Sequence, residues 1–107
     1  MREEKLEFTF PGIDGKNVSY PNRRYDDKVV IIQVLGSWCP NCVDETKFFT
    51  VLHNQYQHRG LEIIGLAFEK PEELSDKIAR VKDLKAHCSS GYEFLIAGGA
   101  SKKEAQK

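Results

Sequence analysis

The chain has 107 residues, 16 basic and 16 acidic, with no formal net charge and a pI near 6.8. That length supports one domain around one modest core. The balance of charge excludes the broad basic footprint of a nucleic-acid binder, and the longest apolar run, Val29 to Leu35, is broken by Gln33 and too short to cross a bilayer.

The first residues, MREEKLEF, are charged from the start and carry no apolar signal-peptide core. Either the chain is cytosolic or an export signal has been removed. Leu6, Phe8 and Phe10 then alternate with Glu7 and Thr9, a period of two that predicts a strand. Pro11-Gly12 and Asp14-Gly15 supply turn chemistry, and Asn17 to Tyr20 returns as the second strand of a hairpin. Lys28 to Gly36 (KVVIIQVLG) is almost continuously apolar and β-branched, as in a strand buried on both faces of a parallel sheet.

From Pro40 to about His58 the pattern turns helical. Val43, Phe48, Val51, Leu52 and Gln55-Tyr56 recur at three- and four-residue intervals. Pro40 suits the first turn, where its missing N–H is not needed, and Gly60 suits the end. Leu61 to Phe68 (LEIIGLAF) is a second buried strand, so strand, helix and strand form a right-handed βαβ unit. A second amphipathic helix is predicted over Glu69 to Ala86, with Pro71 in its first turn and Leu74, Ile78, Val81 and Leu84 on its apolar face. Tyr92 to Ala97 is a short strand, and Gly98 to Lys107 ends in a charged stretch with helical character. Alternating strands and helices make the class α/β.

The chemistry concentrates in GSWCPNC, Gly36 to Cys42. Cys39 and Cys42 stand where a strand gives way to a helix. Unpaired backbone N–H groups and the positive end of the helix dipole favour a thiolate at Cys39. Cys42, one turn in, is placed to attack a mixed disulfide formed on Cys39, and the spacing also allows a disulfide between the two. Three other readings compete. Two inert core thiols would give the same spacing, but a CxxC between a parallel-type strand and a helix points to redox chemistry. A zinc site needs four ligands, and the candidates beyond the pair are Cys88, His87, His53 and His58, with no second CxxC. Haem attachment would need a histidine where Val43 stands. No metal or cofactor is expected.

Trp38 would wall one side of the sulfur, unless it is simply a buried aromatic, and Trp38 and Pro40 are the expected substrate contacts. Glu45, three residues past Cys42 and on the same helical face, could move the Cys42 proton if partial burial raised its pKa. As a solvated first-turn glutamate it would have no such role. Asp44 and Lys47 read as solvated surface. Cys88, in HCSSGY, reads as an inert or partly buried thiol, with a regulatory or intermolecular disulfide as the alternative.

KVVIIQVLGSWCPNCVDETKFF resembles the active-site strand and helix of thioredoxin-fold proteins, and more closely the TlpA-like and ResA-like thiol–disulfide oxidoreductases of bacteria. The IDGKNVSY hairpin, the WCPNC core, Glu45, LEIIGLAFEKPEELSDKIARVKDL and the GYEFLIAGGASKKEA tail carry the closer match. The resemblance implies dithiol–disulfide exchange, with Cys39 attacking, Cys42 resolving, protein thiols and disulfides as partners and a membrane electron donor as a further one. It also implies a periplasmic or membrane-anchored parent protein rather than a cytoplasmic one. The alternative is a thioredoxin-like binding or structural module whose thiols are incidental. A peroxiredoxin-type centre is disfavoured, because the Pro-x-x-x-Thr-x-x-Cys pattern is absent at Cys39.

Two departures stand out. Gln33 occupies the position of thioredoxin's buried aspartate, which shifts proton handling toward Glu45. None of the four prolines stands opposite the cysteine pair, and the family's C-terminal β-hairpin and helix do not follow. The expected architecture over residues 1–107 is therefore a single, partial thioredoxin-like domain. It has an N-terminal hairpin, a βαβ core and an open edge on the strand at 29–36, which predicts self-association through that edge, a partly ordered core or a rearranged sheet.

Overall fold

The structure is a computed structural model that describes residues 7–70 and 72–99. The chain-order expectations hold for most elements. β1 (Phe8–Pro11) pairs antiparallel with β2 (Asn17–Tyr20), with Phe10 opposite Val18. β3 (Val29–Leu35), β4 (Leu61–Glu69) and β5 (Glu93–Gly99) form a parallel sheet in the order β3-β4-β5. Between them run α1 (Pro40–Tyr56) and α2 (Leu74–Cys88). Pro40 opens α1, and Gly60, at φ 100°, provides the left-handed turn that returns the chain to β4.

The sheet is covered on both faces, as its apolar strands require. On one face Ile63, Ala67, Phe94 and Ile96 pack with Val81, Leu84 and Cys88 of α2 and with Val43 and Phe49 of α1. On the other, Ile64 and Leu95 meet Tyr25 and the aromatic ribs of the N-terminal hairpin, Phe8, Phe10 and Tyr20. A bridge between Gly12 and Leu95 ties the hairpin to β5.

Four details correct the sequence reading. The second helix begins at Leu74 rather than Glu69, because β4 runs on to Glu69, which is 1% exposed and pairs with Gly99. Pro71, expected in that helix's first turn, lies outside the described residues, as does the tail from residue 100. The last strand starts at Glu93 and reaches Gly99 rather than spanning Tyr92 to Ala97. β3 is not buried throughout: it occupies an edge among the described strands, and Val29 and Val34 are 68% and 63% exposed.

The fourth concerns α1. Phe48, Val51 and Tyr56, part of the apolar pattern that marks the helix, are exposed. The buried stripe is polar, made of Thr46, Thr50 and His53. Both threonine hydroxyls and His53 Nε2 have partners, as burial demands, while His53 Nδ1 has none. Thr46 Oγ1 donates to the Cys42 carbonyl (2.7 Å), Thr50 Oγ1 shares a 2.6 Å hydrogen bond with Ser90 Oγ, and His53 Nε2 lies 3.0 Å from Glu62 Oε1.

Candidate functional site

The cysteines sit at the carboxyl end of β3, where open parallel sheets place their sites. β3 ends at Leu35, and the chain turns over Gly36, Ser37 and Trp38, closed by a Cys39 N–H to Gly36 carbonyl bond of 3.1 Å. Cys39 is the N-cap of α1, and its carbonyl accepts from the N–H groups of Cys42 (3.1 Å) and Val43 (3.2 Å). The Cys39 side chain makes no cap hydrogen bond, and its sulfur sits at the N-terminal end of the helix, beside the open first-turn N–H groups.

Both thiols are free and partly buried, and their environments push them apart. Hydrogen bonding from the Cys42 thiol, then from the backbone N–H groups of Cys42 and Asn41, holds Cys39 below the ordinary thiol range. Burial, followed by the hydrogen bond to Cys39, holds Cys42 above it. A low-pKa outer thiol beside a high-pKa inner one is the asymmetry that stepwise disulfide exchange uses.

Glu45 is exposed, as in the solvated first-turn alternative, and the partial burial on which its proton role depends is not found. Its Oε1 accepts from Gln33 Nε2 at 3.3 Å, and its nearby charge weakly opposes the lowering at Cys39 and weakly adds to the rise at Cys42. Gln33, 2% exposed, is fully engaged: it also donates to Thr46 Oγ1 (3.0 Å) and accepts from Tyr92 OH (2.8 Å). A chain of side-chain bonds thus runs from Tyr92 through Gln33 and Thr46 to the Cys42 carbonyl. Gln33 stands out in the sequence as the one polar residue in an apolar strand. Tyr92 and Thr46 carry no comparable signal.

Trp38 is 47% exposed, so it is not a core aromatic. Its Nε1 donates to the Phe68 carbonyl (2.8 Å), and the Lys70 ammonium lies 5.0 Å from the ring centroid. Gly36 makes this possible. A Cβ there would fall 2.4 Å from Trp38 Nε1 and 2.9 Å from the Phe68 carbonyl oxygen. Pro40 is exposed beside Cys39, and a cleft lined by Ser37, Trp38, Glu69, Lys70 and Arg80 opens next to the turn.

Cys88 ends α2 and is buried. Its Sγ lies 3.9 Å from the Val43 carbonyl, and burial raises its pKa. Among the described residues, no group of three or more His, Cys, Asp or Glu side chains is placed to hold a metal ion. None of the described helices is long and apolar enough to cross a membrane.

Against known proteins, the ResA thiol–disulfide oxidoreductase of Halalkalibacterium halodurans is 27% identical over 70 residues, 65% of this chain and 39% of that protein. A thioredoxin-family thiol:disulfide interchange protein from Chlorobium tepidum superposes with a TM-score of 0.67 at 21% identity, covering 94% of this chain and 61% of its own. A thiol:disulfide interchange protein from a Bacteroides species gives a TM-score of 0.69 at 18% identity, covering 94% and 59%. The structural likenesses show a thioredoxin-like fold, and this chain spans 39% to 61% of the length of these three relatives. The family model for AhpC/TSA matches residues 2–103, and with nearly the whole sequence inside that match the chain belongs to the AhpC/TSA family.

Proposed function

We propose that the chain exchanges disulfides with protein thiols through Cys39 and Cys42. The observation that carries this reading is the placement of two free thiols at one helix N-terminus, Cys39 as the N-cap of α1 and Cys42 within its first turn, with Cys39 held low and Cys42 high. The Cys39 thiolate attacks a substrate disulfide, forming a Cys39–substrate bond and releasing one substrate sulfur, which takes a proton from water. Cys42 then loses its proton, with Glu45 as acceptor, and attacks Cys39 Sγ. The second substrate sulfur leaves, the substrate is reduced by two electrons, and Cys39 and Cys42 end as a disulfide. Glu45 supports this role by its place one turn past Cys42 and by the influence of its charge on both sulfurs.

Trp38 and Pro40, exposed on either side of Cys39, are the proposed substrate contacts. The partners are protein thiols and disulfides, and a membrane-bound electron donor would regenerate the dithiol. The resemblance to the TlpA- and ResA-like group supports a periplasmic or membrane-anchored parent protein. The edge position of β3 among the described strands supports self-association.

Insulin reduction, with dithiothreitol as the recycling reductant, tests the exchange. The wild-type chain is expected to accelerate reduction, and Cys39→Ser to abolish the acceleration. Equal rates for the two proteins would overturn the proposal.

A further inference from the structure

Glu69 is a buried acidic group with no part in the exchange steps above. β3 ends at Leu35, paired with Ala67, while β4 continues for two more residues. That overhang meets the turn that carries the first cysteine. The Ser37 N–H donates to Glu69 Oε2 at 2.7 Å, and the Ser37 hydroxyl donates to Glu69 Oε1. One residue earlier, the Phe68 carbonyl accepts from Trp38 Nε1. The turn between β3 and α1 is therefore fastened to the end of β4 by three bonds, two of them to one carboxyl group.

We infer that Glu69 is a positioning residue for disulfide exchange, clamping Ser37 so that the Gly36–Cys39 turn presents the Cys39 sulfur to the first-turn N–H groups of α1. The inference rests on exchange at Cys39 and Cys42. Burying a carboxyl group is costly unless its oxygens are hydrogen-bonded, and here both are taken by Ser37. Each Glu69 oxygen is held by Ser37, which gives it an anchoring role distinct from the proton transfer proposed for Glu45. Ser37 lies two residues from Cys39, so release of its N–H frees the segment whose closing bond is Cys39 N–H to the Gly36 carbonyl. Reactive groups displaced by about 1 Å lose up to roughly 100-fold in rate.

The test uses the full chain with Glu69→Gln, Glu69→Ala and Ser37→Ala. A glutamine keeps both links, accepting from the Ser37 N–H and turning the second bond around by donating to Ser37 Oγ. Alanine keeps neither. The readouts are insulin reduction and the pH profile of Cys39 alkylation by iodoacetamide, resolved by peptide mass. Glu69→Ala is expected to slow reduction roughly 10- to 100-fold and to move the Cys39 profile to higher pH, with Glu69→Gln restoring both. Ser37→Ala, which removes one bond, is expected to fall between wild type and Glu69→Ala.

A folded Glu69→Ala protein with the wild-type profile would overturn the inference, as would a Glu69→Gln protein as slow as the alanine variant. If Glu69→Ala does not fold, Ser37→Ala decides, and an unchanged rate and profile there overturn the clamp. A purely structural role would lower the thermal midpoint and leave the Cys39 profile in place. Absence of insulin reduction in the wild-type chain would fail the exchange reading alone, because the alkylation profile still reports on the clamp.

Discussion

Replacing Tyr92 with phenylalanine removes one oxygen from the buried chain that runs to the Cys42 carbonyl. The ring stays, stacked on Phe94 with centroids 4.8 Å apart, so the packing term is nearly unchanged. What changes is Gln33, whose Oε1 loses its 2.8 Å donor in a site 2% exposed. Losing a neutral hydrogen bond and stranding a buried acceptor together cost about 2 kcal/mol. The unfolding entropy of a 107-residue chain is roughly 0.22 kcal/mol/K, so the midpoint should fall by about 9 °C.

The assay is thermal unfolding of Tyr92→Phe, Gln33→Leu and the double variant. Each single change strands the other's polar group, while the double change leaves two apolar side chains facing each other. The double variant should therefore be more stable than the sum of the singles implies, with a coupling of at least about 1 kcal/mol. A Tyr92→Phe midpoint within about 2 °C of wild type, with no coupling, would refute the idea that this chain of bonds helps hold the site's floor.

Burial pushes the Tyr92 hydroxyl up to about 12 from an ordinary 10.0. A raised folded-state pKa contributes stability that is fully present below pH 10 and is lost as pH climbs toward 12. Tyr92→Phe should lessen this alkaline loss in denaturant titrations, and an unchanged pH dependence would contradict the assignment. Gly36→Ala forces a Cβ into the space of the indole, so the emission of the single tryptophan should shift and insulin reduction should slow. An unaltered spectrum would mean that the turn does not need glycine. For self-association through the β3 edge, light scattering should show a mass that rises with concentration. Val34→Lys should then hold the chain as a monomer, and a monomeric wild type at every concentration would end that proposal.

The strand–CxxC–helix core was legible because its signals are local. A continuous β-branched run, a proline at the helix start and a glycine at its end each act on their own neighbours. The errors came where partners distant in the chain decide. Thr46, Thr50 and His53 look like the solvated side of α1, yet Gln33, Ser90 and Glu62 satisfy them inside. Phe48, Val51 and Tyr56 look like core and are exposed, because no described element covers that side. Glu69 begins a charged run, EKPEEL, that reads as a helix start, and only Ser37, 32 positions earlier, explains why it is buried in a strand. Glu45 could be picked out by its spacing from Cys42. Its exposure was one of two readings left open, and its bond to Gln33 could not be read at all.

The central claim is that the two thiols are made unequal by their places at the head of α1. Alkylation of the reduced full chain with iodoacetamide across a pH series, followed peptide by peptide, measures this directly. Cys39 should react first and at the lowest pH, with Cys42 and Cys88 titrating later, above the ordinary thiol range. If Cys42 reacts before Cys39, or all three thiols titrate together, the chain does not hold the asymmetry on which the exchange reaction depends.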